Sequence, residues 1–403
     1  YVRLPGKKGS YADIHAADPR SDLAVLRLLD PSVGPLKSIT IGNGDQIEIG
    51  SRILALSYPY APGWRDAKPR ACQGIVKRLH VQAAPGPAED DPRPDQRLPK
   101  PLYMFGMLWQ TSLTLNPGCS GNALLNTKGE LIGLTTGRVE EDRKDAVLQQ
   151  FRPQRMPEPP PPPRTFTDRA AGLAVPTSTE IRGIIEKLRQ GLEVEYGFVG
   201  IRTHEPSSGR VQISPNSGMG IVGGSPAAEA GLEAGDYILS INGHRIAKAD
   251  DVQFYVATAL AGTPVKFEIL HEQAVQPKII TLAKSWTPGK IIAANRPPHV
   301  RGLRVDYTSV LESRNLQAGF FGRPRVGVHA GVYISEIQPG SKAAAKVRVH
   351  DIITGVKVNG KMKALRTPAE FYAAAAKIRA DEALELKLHA HNFDGDSTVV
   401  IEP

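Results

Sequence analysis

Over residues 1 to 176 the apolar positions fall in short runs bounded by Gly, Pro, Asn and Asp, such as Arg52-Ile53-Leu54-Ala55-Leu56, Gly74-Ile75-Val76 and Glu130-Leu131-Ile132-Gly133-Leu134. Runs of this kind predict strands. Helical spacing first appears from Ser178 to Gln190, where Ile181, Ile184, Ile185 and Leu188 recur on one face. Thr177 or Ser178 can cap its start and Gly191 can end it. The pattern predicts an all-β unit closed by one helix. Two polar segments interrupt it. Residues 83–101 are rich in Pro and charge, and residues 138–169 hold Pro159 to Pro163, a short polyproline II rod that reads as a spacer or loop excursion.

The rest of the chain repeats itself. Gly224-Ser225-Pro226-Ala227-Ala228 leads to Gly235-Asp236-Tyr237-Ile238-Leu239 and Asn242-Gly243. Gly340-Ser341-Lys342-Ala343-Ala344 leads to Asp351-Ile352-Ile353 and Asn359-Gly360. Each copy continues into a helical stretch, Ala249 to Leu260 and Thr367 to Ile378, and ends in a β-type run, Val265 to Leu270 and Leu384 to Leu388. Two copies of one α+β domain fit this length.

Composition narrows the function classes. With 41% hydrophobic and 23% charged residues, the 403-residue chain has ordinary globular usage. No apolar run approaches the roughly 18 residues that span a bilayer. The net charge of +9 comes from scattered Lys and Arg mixed with acids, which reads as a solvated surface rather than a nucleic-acid site. Two cysteines exclude a disulfide scaffold and any multi-cysteine metal centre, and Cys72 and Cys119 are expected to be free. No P-loop, zinc-finger spacing or dinucleotide fingerprint is present, so no metal and no organic cofactor is expected. The chain opens Tyr1-Val2-Arg3 without a methionine or signal peptide, as a processed or truncated piece would.

The most informative stretch is Asn116-Pro117-Gly118-Cys119-Ser120-Gly121-Asn122-Ala123-Leu124. A serine between glycines on a tight turn can have its own N–H and that of Gly118 converge on one point, as an oxyanion requires. Such a serine needs a base, and the base needs an acid to orient it. Upstream, Asp22-Leu23-Ala24-Val25-Leu26 sets an acid directly before a strand expected to be buried. Here the sequence resembles the HtrA/Deg-type trypsin-like serine proteases, whose D-L-A-V-L strand carries the triad aspartate and whose nucleophile turn reads N-P-G-N-S-G-G-P-L. The resemblance makes Asp22 the aspartate and Ser120 the nucleophile, with Gly118, Cys119 and Ser120 N–H groups as the oxyanion hole. Gly172-Leu173-Ala174-Val175-Pro176 resembles the end of the family's barrel. Cys119 and Asn122 depart from the pattern. Asn tolerates positive φ better than most residues, so the turn is expected to survive. In register, Ser120 rather than Cys119 matches the nucleophile. The family's histidine lies well before the aspartate, at a position that would precede Tyr1. His15 and His80 read as ordinary strand histidines. The residues as given are therefore expected to lack the base and to be inactive.

The repeats resemble PDZ domains of the same proteases. In the first, Tyr196-Gly197-Phe198-Val199-Gly200-Ile201 would be the loop that holds a peptide's C-terminal carboxylate, with the peptide added as a strand. Phe198, Val199, Gly200 and Ile201, with Val252 and Val256 of the facing helix, would line the groove; Phe198 and Ile201 can equally be plain core residues. The second copy is more diverged. Its loop would be Arg301-Gly302-Leu303-Arg304-Val305, a weaker site in which Arg304 either faces a carboxylate or is a solvated strand residue.

The expected architecture is mainly β: a trypsin-like double β-barrel incomplete at its N-terminus (1–176), a linking helix (177–192) and two PDZ domains (193–288 and 298–403). The resemblance implies a serine endopeptidase of protein quality control, acting on unfolded or misfolded proteins and binding peptide C-termini. It also implies a homo-oligomer, a trimer or larger, in the periplasm or another extracytoplasmic compartment. The alternative is a catalytically dead, protease-derived scaffold that binds peptides.

Overall fold

The computed structural model describes residues 1–2, 4, 9–57, 70–81, 107–114, 119–136, 171–206, 209–215, 220–317, 327–389 and 395–403. They form two compact units, Tyr1–Glu193 with Gly289–Ala294, and Val194–Pro288 with Asn295–Pro403. The expected Pro-rich segments at 83–101 and 138–169 lie outside the described residues.

In the first unit, β1 (Ala12–Asp18) and β2 (Leu23–Leu28) form an antiparallel hairpin. Its turn is set by the Asp18 carboxylate, which accepts the Ser21 N–H at 2.9 Å. Ile292–Ala293 pairs with the other edge of β1. β3 (Arg52–Ser57), β4 (Arg70–Val81), β5 (Leu108–Thr114), β6 (Ala123–Leu125), β7 (Leu131–Thr136) and β8 (Ala171–Pro176) close a barrel in the order β3-β4-β5-β8-β7-β6. Ile53, Ala55, Val76, Trp109, Leu124 and Ile132 point into it and are buried. The helix after β8, α1 (Thr179–Arg189), is capped by Ser178, buries Ile181, Ile184 and Leu188, and is followed by Gly191 at φ +70°. It packs on β1 and β2.

The strand after Asp22 is not buried as expected. Leu26 on β2 is 50% exposed and Ile14 on β1 is 54% exposed. Ile14 and Leu26 are paired across β1 and β2 and so share one face of the three-stranded sheet, where both are exposed.

The second unit holds the repeat. Its first copy contains β9 (Gly197–Phe198), β10 (Thr203–His204), β11 (Gln212–Ile213), the short α2 (Pro226–Glu229), β12 (Tyr237–Ile241), β13 (His244–Arg245), α3 (Ala249–Thr258), β14 (Pro264–His271), β15 (Ala274–Thr281) and β16 (Ala283–Lys284). Ile292–Ala293 is β17. The second copy contains β18 (Leu303–Tyr307), α4 (Ser309–Gln317), β19 (Val332–Ile337), β20 (Ile352–Val358), β21 (Lys361–Ala364), α5 (Pro368–Ala375), β22 (Leu384–His389) and β23 (Asp396–Ile401).

The two sheets have one topology: β10-β11-β12-β14-β15 with β13 on β12, and β18-β19-β20-β22-β23 with β21 on β20. Each surrounds its own core, centred on Phe267 and Ile241 in the first copy and on Phe371 and Val356 in the second. The predicted helices and closing strands form within two residues of their expected ends, except that α5 stops at Ala375, three residues before the expected Ile378. Helix α4 is an addition to the second copy that the repeat pattern did not foretell.

Candidate active site and peptide groove

Ser120 stands exposed on the turn between β5 and β6, whereas Cys119 is 6% exposed and part of the barrel core. Neighbouring residues therefore have opposite fates, and only the serine presents its side chain to solvent. Thr135 on β7 straps the turn. Its hydroxyl donates to the Cys119 carbonyl and accepts the Asn122 N–H at 3.1 Å. Its carbonyl accepts the Gly121 N–H at 2.7 Å, and its N–H donates to the Asn122 carbonyl at 2.9 Å. The turn takes its positive φ, +80°, at Gly121. Asn122 does not take the left-handed conformation that its sequence position suggested. Gly118 lies outside the described residues, so of the oxyanion donors expected here only Cys119 and Ser120 are placed.

Asp22 ends the β1–β2 turn, exposed and at φ +59°. His15 occupies a bulge in β1 between Ile14 and Ala16, and its carbonyl accepts the Ala294 N–H at 2.9 Å. His15 Nδ1 is buried, and nothing among the described residues hydrogen-bonds to it. His80 lies on β4 at φ +55°. Both are strand residues, as expected.

In the first repeat, the loop from Phe198 to Ile201 is held by its carbonyls. Val199 accepts the Ala227 N–H at 3.0 Å and Gly200 accepts the Val222 N–H at 2.9 Å. Among the described residues nothing accepts from the N–H groups of Val199, Gly200 and Ile201. These three residues directly precede β10, an edge strand of its sheet, and Ile201 forms an isolated antiparallel bridge with Ile221. Gly200 has φ +82°, and a Cβ there would lie 2.2 Å from Ser225 Cβ. Val252 and Val256 of α3 are buried in the same core as Val199, and Ile201 is half-buried against it. Phe198 is 8% exposed. Val199, Val252, Val256 and, at its margin, Ile201 therefore share one core.

The second repeat arranges the same positions differently. Val300 and Leu303 exchange backbone hydrogen bonds at 2.8 and 2.9 Å around Arg301 at φ +53° and Gly302 at φ +85°. Two positive φ values make this a type I′ turn, and it uses the Leu303 N–H internally. Leu303 and Val305 are buried in the core. The Val305 N–H donates to the Tyr372 hydroxyl of α5 at 3.4 Å. Arg304 bonds to the Glu336 carboxylate and donates from Nε to the Pro297 carbonyl at 2.8 Å. Burial pushes the Glu336 carboxyl upward, but Arg296, Arg304 and His299 outweigh it and hold it below the usual carboxylate range. Arg301 reaches across to the carbonyls of Arg379, Ala380 and Glu382 at 3.0, 2.7 and 2.8 Å. Arg304 is thus neither solvated nor facing an empty carboxylate loop. The signal missed in the sequence was Tyr372, whose partner lies on another element.

Residues 1–134 match the family described as trypsin-like peptidase domain, and residues 219–270 match the PDZ domain. The first match contains Asp22 and Ser120; the second lies within the first repeat. The chain is 24% identical over 370 residues to the probable periplasmic serine endoprotease DegP-like of Pseudomonas putida (strain W619), covering 88% of this chain and 64% of that protein. It is 26% identical over 389 residues to the periplasmic pH-dependent serine endoprotease DegQ of Escherichia coli (strain K12), covering 93% and 71%. Among solved structures, the HtrA-type protease AlgW with tripeptide is similar at TM-score 0.41 and 20% identity, over 72% of this chain and 78% of that one. The chain therefore carries a trypsin-like peptidase domain and, after it, a PDZ domain, in a mainly β fold.

Proposed function

We propose that this chain belongs to a serine endopeptidase that cleaves unfolded or misfolded proteins by acyl transfer through Ser120. The observation that carries this reading is the exposed serine beside a buried cysteine, on a turn pinned by Thr135 within a trypsin-like domain. Ser120 attacks the scissile carbonyl. The N–H groups of Gly118, Cys119 and Ser120 stabilise the oxyanion, a term worth about 10²–10³ in rate per donor. Asp22 orients the histidine that takes the serine proton. Neither His15 nor His80 suits that role, so residues 1–403 by themselves are expected to be inactive.

The proposed division is 1–176 for the protease, 177–192 for the linking helix, 193–288 for the first PDZ domain and 298–403 for a second. The shared sheet topology supports counting two. The N–H groups of Val199, Gly200 and Ile201, which find no acceptor among the described residues, support recognition of a peptide's C-terminal carboxylate by the first. They also favour the second reading, a catalytically dead peptide-binding scaffold, because such a loop works without any catalysis. Two curated relatives are named periplasmic, which supports an envelope location. A homo-oligomer, trimer or larger, is proposed from the family resemblance.

The test uses the protein with its histidine in place and casein as substrate. Ser120→Ala should lower the rate about a million-fold, as loss of a member of a catalytic unit does, while Cys119→Ala should only reduce it. Full activity in the Ser120 variant overturns the nucleophile. No activity in the unaltered protein, with acid-specific peptide binding retained, establishes the scaffold instead.

A further inference from the structure

The two repeats meet at two places within the second unit, and both lead to the first repeat's loop. The first is Lys284. Its side chain is 6% exposed, with Nζ 2.8 Å from Asp306 of β18 and 3.3 Å from Glu195. Ser309 of α4 donates its hydroxyl to the Lys284 carbonyl at 2.6 Å. Two residues on, the Trp286 N–H donates to the Ser313 hydroxyl at 2.7 Å, and Arg314 lies 5.7 Å over the Trp286 ring. Lys284 belongs to β16, whose register sets it opposite Gly197 and Ala283 opposite Phe198. The loop begins at that pair.

The second place is on the loop's other side. The Val328 N–H donates to the Gly223 carbonyl at 2.7 Å, and a Cβ on Gly224 would fall 2.1 Å from the Val328 carbonyl oxygen. Ser225 follows directly, and its Cβ lies against Gly200. The second repeat thus contacts the first on both sides of the loop that carries the Val199, Gly200 and Ile201 N–H groups. Its own corresponding groove is filled by its own residues: the type I′ turn, the Tyr372 bond to Val305 and the reach of Arg301 across to 379–382.

We propose that the second repeat is a brace for the first. Lys284, gripped by Asp306, and the Val328-to-Gly223 bond are positioning elements that fix the first repeat's carboxylate loop, and the second repeat takes no peptide itself. The proposal rests on the carboxylate-loop reading. A loop fixed in place before a carboxylate arrives needs no ordering on binding, and such preorganisation raises affinity without any new contact. A buried ammonium suits a brace because removing one partner strands the other charge away from water. Helix α4, which has no counterpart among the described residues of the first copy, supplies the two serines that complete the grip.

The experiment uses the full 403-residue chain and two probes, a decapeptide ending in valine with a free carboxylate and the same peptide amidated. Calorimetry on the unaltered chain tests the loop reading: the acid should bind better than the amide. Asp306→Asn, which keeps the shape, and Lys284→Met should each lower affinity for the acid by about three- to tenfold and narrow the acid-to-amide ratio. Lys284→Arg should restore most of it. Should Lys284→Met fail to fold, Ser313→Ala serves as the milder variant. Hydrogen exchange gives a readout that needs no peptide: the amides of Gly197, Val222 and Ala227 should exchange faster in Asp306→Asn. An acid preference and exchange rates unchanged in Asp306→Asn overturn the brace. So do peptide-induced NMR shifts at Leu303 to Val305 under saturation. An unaltered chain that binds acid and amide equally refutes the loop reading alone, and the exchange rates then decide the brace.

Discussion

Thr135→Val tests whether the serine turn is held as described. Thr135 is 4% exposed, and its hydroxyl makes two of the four hydrogen bonds that join it to the turn, one donated to the Cys119 carbonyl and one accepted from the Asn122 N–H. Valine has nearly the shape of threonine, so no cavity opens. The two backbone bonds, from Gly121 N–H and to the Asn122 carbonyl, remain. A net loss of about 1 kcal/mol per bond sets the lower figure at about 2 kcal/mol. Each backbone group left dry without a partner raises the cost, which brings the total to about 2–4 kcal/mol. Thr135→Ser keeps the hydroxyl and removes one methyl, so it should cost only about 0.8 kcal/mol. Urea unfolding followed by Trp109, 4% exposed in the same barrel core, reads both, with Trp64 and Trp286 replaced by phenylalanine. A loss below about 0.5 kcal/mol in the valine variant, or equal losses in valine and serine, would refute the strap.

His271 makes the first repeat's stability depend on pH. Its hydrogen bond to Asp236, at 2.7 Å, and that carboxylate's charge raise its pKa above 6.5 against a smaller opposing effect of burial. The contribution is fully present below 6.5 and is lost as pH rises through the raised folded value. Thermal midpoints across pH 5.5–8.5, an arbitrary range of about three units around the histidine reference, should fall toward the alkaline end, and His271→Gln should remove that part of the slope. Gly200→Ala should cost about 1–2 kcal/mol for its positive φ and abolish acid-specific peptide binding, because the new Cβ would lie 2.2 Å from Ser225 Cβ. Unchanged calorimetric affinity in this variant would separate the loop from the ligand.

The elements that were legible in the sequence are those whose cause is local. Short apolar runs bounded by Gly, Pro, Asn and Asp became barrel strands, and Ile181, Ile184 and Leu188 became a buried stripe because one helical face must meet an apolar layer. The serine turn was legible for a similar reason: a small-residue string flanked by strands has few conformations, and Gly121 took the strained one. Leu26 shows where local reasoning stops. Its run of apolar residues reads as buried, yet burial needs a second layer, which depends on what else packs there. Lys284 and Tyr372 were silent for the same reason, since each acts through a partner on a distant part of the chain.

The two loops show how little sequence separates a groove open to ligand from one closed on itself. Both keep their glycine, and in both a Cβ would strike a serine: Gly200 against Ser225 at 2.2 Å, Gly302 against Ser341 at 2.4 Å. That glycine is therefore required by packing in either copy and carries no information about binding. The discriminating position precedes it. Val199 is β-branched, and such residues almost never adopt positive φ, so a type I′ turn is closed to the first copy. Arg301 accepts φ +53° and completes that turn, which bonds the Leu303 N–H to the chain's own Val300 carbonyl. Its side chain, freed from any peptide, then bridges to the carbonyls beyond α5. On the proposed carboxylate-loop reading, the backbone preference at this one position separates a loop that offers donors to a partner from one that keeps them for the fold.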